Sequence, residues 1–338
     1  MPQPVLKPVR DQVVVVMGAS SGIGRAAAAR FAAKGAKVVV AARGEAGLRS
    51  LVEQIRADGG DAVAEVADVT DPAQMRRVAQ RAVTEYGRLD TWVHAAGVLL
   101  VAPFEETTPE EFQRVIDVNL MGQVHGAMAA LPHLRQHGGA LIHISSMGAK
   151  RGVPLQTAYC ASKHGIDGFV ETLRMEVRRE ELPVSVTNVM PATINTPLFD
   201  QARTKIGVKP VAPPPVYQPD VVVDALLHAA EHPVRDLVVG GAAKALILGE
   251  KLAPRLLDAL LVRFGFEAHD TGVPKSADAP DNLFAPLDAH DTARDGFDES
   301  AWPRSLYTSL QRQPLVRSIP LASEALAVAG FVLKPLLR

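Results

Sequence analysis

The sequence predicts an α/β protein in which a doubly wound parallel sheet lies between two layers of helices. Apolar, β-branched runs alternate about six times with helical segments between residues 13 and 190, a pattern typical of this three-layer α/β/α architecture. Small or polar residues follow the predicted strands at Gly18, Asp68, Gly97, Ser146 and Pro191. Ligands of such sheets bind beyond the carboxyl ends of the strands, so these positions predict one site along one edge.

Composition limits the classes of function that the chain can serve. Of 338 residues, 47% are hydrophobic and 22% charged, which indicates a soluble globular protein. The formal net charge of −1 offers no general basic field, so we expect no nucleic-acid partner. A single cysteine, Cys160, excludes an internal disulfide and favours a cytoplasmic location. We expect no secretory signal, because Met1–Arg10 is proline-rich and lacks an apolar segment.

The first strand and the residues after it indicate nucleotide binding. Val13–Met17 is a continuous β-branched and apolar run that leads into Gly18-Ala19-Ser20-Ser21-Gly22-Ile23-Gly24 and then a helix over residues 25–34. Glycines let the backbone turn sharply and approach a pyrophosphate at the helix N-terminus. The spacing Gly-x3-Gly-x-Gly differs from the commoner dinucleotide fingerprint, and a tight turn without a ligand is the alternative.

The end of the second predicted strand favours NADP(H) over NAD(H). Lys37–Ala42 is the strand, and Glu45–Ala57 reads as the helix that follows. A carboxylate at the strand end would serve the ribose 2′-hydroxyl of NAD, whereas an arginine accommodates a 2′-phosphate. Here Ala42 is followed by Arg43, with no carboxylate. A solvated surface arginine is the alternative.

Further candidates follow the next two strands and interrupt a helix. Asp68-Val69 follows a strand over residues 62–67, and Asp68 either bonds an adenine amino group or caps a turn. Ala96-Gly97 is a small-residue turn after a strand over residues 90–95, beside which a cofactor could pass. A long helix is predicted over about residues 109–131 and contains Asn119. Asparagine disfavours a helix interior, so its presence there suggests a functional role.

Tyr159 and Lys163 lie four residues apart, which places them on one face of a helix predicted to run to about residue 180. A nearby cation favours the phenolate, so we expect Lys163 to lower the pKa of Tyr159 from about 10 toward neutrality. An ordinary surface pair is the alternative, since such pairs are common on helices. Ser145 and Ser146 end the preceding strand, at the same predicted edge.

Taken together, these motifs resemble the short-chain dehydrogenase/reductase family over residues 12–241, about two-thirds of the chain. The resemblance rests on the family's order and spacing of Gly18 to Gly24, Asp68-Val69, Asn119-Leu120-Met121-Gly122, Ile144-Ser145-Ser146, Tyr159-x3-Lys163 and Pro191. It implies a Rossmann-like fold and a catalytic tetrad of Asn119, Ser146, Tyr159 and Lys163. Ser146 rather than Ser145 is assigned, because it stands thirteen residues before Tyr159, the usual family interval.

The resemblance also implies a reaction: hydride transfer between NADP(H) and a carbonyl or secondary alcohol, without a metal. Tyr159 would be the general acid or base, Lys163 would lower its pKa and bind the ribose, Ser146 would donate to the substrate oxygen, and Asn119 would hold a relay water. The residues expected to bind the cofactor are Gly18, Ser20, Ser21, Gly22, Ile23, Gly24, Arg43, Asp68, Val69, Ala96, Gly97, Tyr159, Lys163, Pro191, Thr193 and Thr196. The scattered histidines His133, His137, His269 and His290 show no ligand spacing, and we expect solvated or loop positions for them.

Two departures from the family pattern carry expectations of their own. His94-Ala95-Ala96-Gly97 stands where family members usually have Asn-Asn-Ala-Gly. We expect another group to brace the sheet there and His94 to be a core histidine rather than a catalytic base. Pro191-Ala192 replaces Pro-Gly, and the added methyl is expected to narrow the floor near the nicotinamide amide.

The predicted substrate pocket is mostly apolar. Residues 98–104, 147–155 and those after Pro191 should line it, with Arg151 as the one clear charge and residues 197–211 as a lid whose Lys205 and Lys209 face water. An apolar ketone or alcohol fits such a lining. The alternatives are a 3-oxoacyl thioester on an acyl carrier protein and a non-catalytic, cofactor-sensing role. We expect a small-molecule substrate and a homo-oligomer.

Residues 1–241 are predicted to form the dehydrogenase domain, and residues 242–338 a C-terminal extension. The extension should contain a helix over residues 242–264 broken at Pro254, an Asp- and Pro-rich loop over residues 267–304, and an apolar helix over residues 318–337. Its apolar helices either pack on the domain or a partner subunit, which we favour, or lie on a membrane surface.

Overall fold

The computed structural model describes residues 4–287 and 291–312. The predicted helix over residues 318–337 therefore lies outside the described residues. The strands, in chain order, are β1 (Val13–Met17), β2 (Lys37–Ala42), β3 (Asp61–Val66), β4 (Thr91–His94), β5 (Leu100–Val101), β6 (Gly139–Ile144), β7 (Val184–Pro191), β8 (Arg203–Thr204), β9 (Val208–Pro210), β10 (Asp236–Val239) and β11 (Asp270–Pro274).

Ten α-helices are described in the same ranges, joined in places by short 3-10 or π-helical segments. They are α1 (Gly22–Ala33), α2 (Glu45–Ala57), α3 (Pro72–Tyr86), α4 (Pro109–Ile116), α5 (Gly122–His137), α6 (Thr157–Arg179), α7 (Pro219–Glu231), α8 (Gly241–Leu252), α9 (Pro254–Leu260) and α10 (Leu306–Gln311). None of the described helices is long and apolar enough to cross a membrane.

The central sheet is a seven-stranded parallel sheet in the order β10-β7-β6-β4-β1-β2-β3, which confirms the predicted Rossmann-like fold. Successive residues of β1 alternate between two apolar cores, one on each face. Val14 and Val16 belong to the core that includes α1 and α7, and Val13, Val15 and Met17 to the core that includes α3 and α6. Both faces of the sheet are covered, as its continuous β-branched strands require.

Local signals explain where the helices begin and end. At α3, the Asp71 carboxylate accepts hydrogen bonds from the N–H groups of Ala73 and Gln74, Pro72 occupies the first turn, and Gly87 ends the helix in the left-handed conformation. The long helix predicted over about residues 109–131 is instead split by a π-helical segment over Asp117–Met121 that contains Asn119. Such segments are rare and often mark functional positions.

The C-terminal extension packs on the sheet domain through several contacts. The helix predicted over residues 242–264 with a break at Pro254 corresponds to two helices, α8, which ends at Leu252, and α9, which begins at Pro254. The predicted loop over residues 267–304 contains one strand, β11, which pairs antiparallel with β9. All five residues of β11 are exposed in the structure. Their sequence also lacks the alternation of apolar and polar residues by which a strand is predicted. Trp302 packs edge-to-face on Tyr217, with ring centroids 5.4 Å apart.

Candidate active site

A cavity of about 240 Å³ lies at the carboxyl ends of the parallel strands. Ser146 follows β6 and Arg43 follows β2, and both line this cavity. The strands β4 and β1 lie between them in the sheet, so about three strand spacings of roughly 4.8 Å separate the two positions. We call these two parts of the cavity the Ser146 end and the Arg43 end.

Most of the predicted site residues line this single cavity. They are Gly18, Ser20, Ser21, Gly22, Ile23, Gly24, Arg43, Val69, Ala96, Gly97, Ser146, Tyr159, Lys163, Pro191, Thr193 and Thr196. Two predicted residues, Asp68 and Asn119, do not line it.

The glycine loop after β1 forms a cradle that side chains would fill. Gly18 has φ +79°, and a Cβ there would lie 2.5 Å from the backbone nitrogen of Ala96. A Cβ on Gly24 would lie 2.1 Å from the carbonyl oxygen of Gly18. The side chain of Ser21, the N-cap of α1, makes no capping hydrogen bond. The close approach of loop to helix N-terminus is the arrangement that phosphate groups bind.

At the Arg43 end, the guanidinium is buried and only partly paired. Nη2 of Arg43 donates to the carbonyl oxygen of Asn282, 2.6 Å away, while Nη1 is buried and has no hydrogen-bond partner among the described residues. Burial lowers the pKa of Arg43, and Arg114 adds to this, although Asp68 opposes it. Arg43 thus brings to the cavity wall a guanidinium that still has one unpaired nitrogen among the described residues, which suits an anionic ligand group such as a 2′-phosphate.

Asp68 faces a neighbouring helix instead of the cavity. One carboxylate oxygen accepts from the N–H and hydroxyl of Thr70, and the other lies 2.9 Å from Nη2 of Arg114. Burial raises its pKa, but the hydrogen bonds from Thr70 and Arg114 outweigh this and lower the pKa overall. Of the two expectations for Asp68, the structure therefore shows the turn-capping contact, and it gives the carboxylate an arginine partner besides.

At the Ser146 end, a serine, a tyrosine and a lysine converge from β6 and α6. The hydroxyl of Ser146 accepts from the N–H of Gly148 at 3.0 Å and lies close enough to Tyr159 to lower the pKa of its phenol, and Nζ of Lys163 lies 5.4 Å from the centre of the Tyr159 ring. Nζ of Lys163 also donates to the carbonyl oxygen of Ile144, 3.1 Å away. These contacts bring a hydroxyl, a phenol and an ammonium together at one wall of the cavity.

The pKa values of this cluster differ from the expectation drawn from the sequence. Burial raises the pKa of Tyr159 to about 12, against the lowering effect of the Ser146 hydrogen bond. Burial also lowers the pKa of Lys163 to about 8. The predicted fall of the tyrosine pKa toward neutrality is thus wrong for the protein without ligands, because burial disfavours the charged form of both groups.

Ser145, the alternative serine, also lines the cavity, but its hydroxyl contacts α6. Its hydroxyl lies 3.4 Å from the carbonyl oxygen of Lys163 and 3.3 Å from the carboxylate of Asp167, and its side chain is buried. It therefore braces β6 against α6, whereas Ser146 is the serine beside Tyr159.

Asn119 is fully buried in the π-helical segment. Its side-chain oxygen accepts from the N–H of Val98, 2.8 Å away, and its amide nitrogen donates to the carbonyl oxygen of Val98 and the hydroxyl of Ser162. The Asn119 side chain thus links the turn after β4 to α6, the helix that carries Tyr159. The expected relay water stays a prediction, and it would have to use the backbone of this segment.

The His94-Ala95-Ala96-Gly97 departure has a structural basis. His94 is completely buried and its ring packs against Gly126, while Nδ1 lies 3.5 Å from the indole nitrogen of Trp92. Burial lowers its pKa well below the usual range, so it is neutral. A second polar pair braces the sheet nearby: Gln123 donates to the carbonyl oxygen of Ile144 and contacts Nδ1 of His143 at 2.6 Å.

The second departure, Ala192, lines the cavity and also packs against Gly240, so the expected narrowing near the nicotinamide amide stays a prediction. Its Cβ lies 2.8 Å from the position that a Cβ on Gly240 would take, and Gly240 has φ +98°. The methyl group of Ala192 therefore faces a glycine that leaves room for it. Pro191, Thr193 and Thr196 line the cavity from the same segment.

The lining around the Ser146 end is mainly apolar. Side chains with no charge form it: Val98, Leu99, Met147, Val153, Leu198, Phe199 and Pro213. Arg151, expected as the one charge of the pocket, pairs instead with Glu250 and Asp258 and does not line the cavity. Lys205 pairs with Glu111 at 2.7 Å, and Lys209 pairs with Asp200.

Several lining residues have no signal in the sequence. Asn282, Pro286, Leu287 and Asp291 line the cavity from the C-terminal extension, within the stretch predicted as a structureless loop. His269, expected in a solvated or loop position, is fully buried and stacks on Phe199 with ring centroids 6.2 Å apart. No motif points to such positions, because they depend on how an irregular chain crosses the sheet edge.

The chain is similar to known oxidoreductases. Residues 12–207 match the model of a family described as short chain dehydrogenase. The chain is 37% identical over 332 residues to the uncharacterized oxidoreductase YxnA of Bacillus subtilis, covering 97% of this chain and 90% of that protein. It is 37% identical over 194 residues to the granaticin polyketide synthase putative ketoacyl reductase 1 of Streptomyces violaceoruber, covering 56% and 71%.

A solved structure of similar fold is a short chain dehydrogenase from Mycobacterium paratuberculosis bound to NAD. It is 28% identical, with a TM-score of 0.60, and the match covers 68% of this chain and 96% of that chain. The uncovered part of this chain corresponds in extent to the C-terminal extension, whereas the match to the Bacillus protein spans nearly the whole chain.

Proposed function

Because the chain belongs to the short-chain dehydrogenase family, we propose that it is an oxidoreductase that uses NADP(H) to interconvert an apolar ketone and a secondary alcohol. The observation that carries this proposal is the convergence of Ser146, Tyr159 and Lys163 on a cavity whose other part is a glycine cradle beside Arg43. A pyrophosphate on the cradle and a reacting carbonyl at Ser146 would both be served by this one cavity.

The proposed chemistry divides between the cofactor and the chain. The nicotinamide, when bound, supplies or accepts the hydride. Tyr159 holds the proton that the substrate oxygen gains in reduction, and its pKa of about 12 keeps the phenol protonated at neutral pH. Ser146, which lies beside Tyr159, donates to the oxygen on which negative charge develops. In oxidation, the positive charge of Lys163 would stabilise the phenolate.

The preference for NADP(H) rests on Arg43. Arg43 lines the cavity at the end of β2, which supplies no carboxylate for a ribose 2′-hydroxyl, and its Nη1 atom is buried without a hydrogen-bond partner among the described residues. A 2′-phosphate would satisfy this nitrogen through a charge-assisted hydrogen bond. This is the reason for placing NADP(H) before NAD(H).

The apolar lining of the Ser146 end supports an apolar substrate. Arg203 and Lys205, two basic side chains of the segment after Pro191, do not line the cavity and are paired with the carboxylates of Glu111 and Asp281. A phosphorylated or polyanionic substrate would have to break such pairs. A small apolar ketone or alcohol needs only the hydroxyl and phenol of Ser146 and Tyr159.

A thioester of a carrier protein is the second candidate, favoured by the similarity to a putative ketoacyl reductase of a polyketide synthase. A model acyl thioester in the substrate panel separates the two candidates. Turnover of the thioester in preference to free ketones would support the second.

We also propose that the chain forms a homo-oligomer in the cytoplasm, as the family resemblance and the single buried cysteine suggest. Light scattering on the purified protein measures the oligomeric state. Contact of the extension with a membrane is the less favoured proposal, and sedimentation with anionic liposomes tests it; protein left in the supernatant would end it.

The experiment that tests the function is a panel of ketones and secondary alcohols with NADPH, NADP, NADH and NAD, followed at the absorbance of the reduced nicotinamide. We expect turnover of apolar carbonyls with NADPH. Binding of cofactor without turnover of any panel member would instead support the non-catalytic, cofactor-sensing alternative.

A further inference from the structure

Part of the C-terminal extension crosses the Arg43 end of the cavity. We call residues 281–287 together with 291–292 the strap. Its members Asn282, Pro286, Leu287 and Asp291 line the cavity opposite residues of the sheet domain. The strap therefore forms one wall of the Arg43 end, beside the glycine loop.

The first anchor of the strap is a buried leucine held by ion-paired neighbours. Leu283 is fully buried in the apolar core that includes Val98 and Val115. Nε of Arg114 donates to the carbonyl oxygen of Leu283, 3.0 Å away. The Asp281 carboxylate accepts from the N–H of Leu283 and pairs with Nε of Arg203 at 2.7 Å. These bonds fix the backbone on both sides of Asn282.

The second anchor ties the strap to the glycine loop and to α2. The N–H of Gly22 donates to the carbonyl oxygen of Thr292, 2.8 Å away. The hydroxyl of Ser50 donates to the Asp291 carboxylate at 2.9 Å. Two separate contacts thus hold the far side of the strap against the cradle in which phosphates are expected to lie.

Between the anchors, the strap fixes the guanidinium of Arg43. The carbonyl oxygen of Asn282 accepts from Nη2 at 2.6 Å, and the side-chain amide of Asn282 donates to Gln201 at 2.8 Å. A guanidinium is planar, so holding one terminal nitrogen sets the direction of the other. The other terminal nitrogen, Nη1, is buried and has no hydrogen-bond partner among the described residues, and Arg43 itself lines the cavity.

We infer that the strap is the second half of the adenosine site, and that it positions Arg43 to select a cofactor that carries a 2′-phosphate. This inference rests on the proposed function, since the 2′-phosphate is the group assigned to Arg43. Leu283 and Asn282 are positioning residues, which act through Arg43. Because the strap lines the cavity, loosening it should also speed the release of the bound cofactor.

The test compares three variants of the full-length protein: Leu283→Ala, which loosens the first anchor, Leu283→Met, which keeps it filled, and Leu306→Ala as a control. Leu306 is also in the extension but is 67% exposed and does not line the cavity. Dissociation constants for NADPH and NADH are measured by fluorescence titration, and the release rate of NADPH by displacement with excess NADP. Thermal melting confirms that each variant is folded.

For Leu283→Ala we expect the dissociation constant of NADPH to rise about tenfold and that of NADH by a smaller factor, since a charged hydrogen bond is lost only with NADPH. The release rate of NADPH should rise with it. Leu283→Met should recover most of the selectivity, and Leu306→Ala should leave it unchanged. A merely structural role for Leu283 would weaken both cofactors by the same factor.

Two failures can be told apart. If wild-type protein prefers NADPH but a folded Leu283→Ala keeps the wild-type ratio of the two constants, the inference about the strap is wrong and the proposed function stands. If wild-type protein prefers NADH, the assignment of Arg43 and the inference are both wrong. Should Leu283→Ala unfold, Asp281→Asn removes the ion pair with Arg203 without opening the core, and the same ratio decides.

Discussion

The two ends of the cavity are built in different ways. The Ser146 end consists of side chains from β6 and α6, and its hydrogen bonds run within the sheet domain. At the Arg43 end, a side chain of the sheet domain, Arg43, is held by the backbone of the C-terminal extension. The first end is a set of titratable groups whose pKa values are changed by burial. The second is a cation whose direction is fixed by a segment more than 230 residues further along the chain.

In the proposed function, the Ser146 end carries the chemistry and the Arg43 end carries the choice of cofactor. The two ends should therefore respond separately to substitution.

The largest effect is expected for Tyr159→Phe. Removing the phenolic hydroxyl takes away the proposed general acid, and turnover with NADPH should fall about a thousandfold. Initial rates at saturating NADPH measure this. Tyr86→Phe is the matched control, because the Tyr86 hydroxyl contacts Asp61 at the surface, away from the cavity. Full activity in Tyr159→Phe would overturn the proposed mechanism.

Lys163→Met should make the protein more stable at pH 7 by ~3 kcal/mol, a consequence of the fall of the lysine pKa from 10.5 to about 8. Below pH 8 the ammonium is charged in both the folded and unfolded states, and the burial penalty is fully present. Between pH 8 and 10.5 the folded state loses the proton first, so the stability of the wild type rises with pH. The penalty is gone above pH 10.5.

Urea unfolding of wild type and Lys163→Met at pH 7 and pH 10.5 measures this. The stability advantage of the variant should shrink as pH rises. The carbonyl oxygen of Ile144, which Lys163 contacts, keeps its bond from Gln123. Lys34→Met, at an exposed position, is the control. An advantage of Lys163→Met that is the same at both pH values would contradict the burial argument.

Ser146→Ala should lower turnover about a hundredfold, because one donor to the developing oxyanion is lost. Ser145→Ala tests the choice between the two serines. It removes contacts to Asp167 and to the carbonyl oxygen of Lys163, so we expect a lower melting temperature and only a small loss of turnover. The reverse result, with Ser145→Ala the less active variant, would exchange the two roles.

Arg43→Ala should lower kcat/KM for NADPH about thirtyfold, which corresponds to the loss of one or two charge-assisted hydrogen bonds, and leave kcat/KM for NADH nearly unchanged. Steady-state kinetics with each cofactor measures the ratio. Arg49→Ala is a control on the neighbouring helix, since Arg49 is exposed and pairs only weakly with Glu45 at 3.4 Å. Equal losses of kcat/KM with both cofactors would mean that Arg43 does not distinguish a cofactor with a 2′-phosphate from one without it.

The two ends of the cavity also differ in how much of their structure could be predicted from the sequence. Local patterns determine the sheet and the Ser146 end, because strand runs, the glycine loop and the Tyr159–Lys163 spacing act over short distances along the chain. The direction of the Tyr159 pKa could not be read in this way, since burial depends on the whole fold. The pairing of Asp68 with Arg114 could not be predicted either, because Arg114 lies on α4, far from Asp68 along the chain.

The extension shows the limit most clearly. Its first helix follows an apolar pattern and was predictable, but β11 and the strap carry no such pattern. Leu283 is one apolar residue in a stretch rich in Asp and Pro, and nothing in the sequence says that it is fully buried. Contacts between residues as far apart as Arg43 and Asn282 arise from the tertiary path of an irregular segment, which neither periodicity nor composition describes.

The most direct test of the separation between the two ends is the dissociation constant of NADPH in Tyr159→Phe and in Arg43→Ala, measured by fluorescence titration beside turnover. The account predicts that Tyr159→Phe is nearly inactive yet binds NADPH within about threefold of wild type, while Arg43→Ala binds it at least about tenfold more weakly. Weakened binding in Tyr159→Phe together with unchanged binding in Arg43→Ala would contradict it.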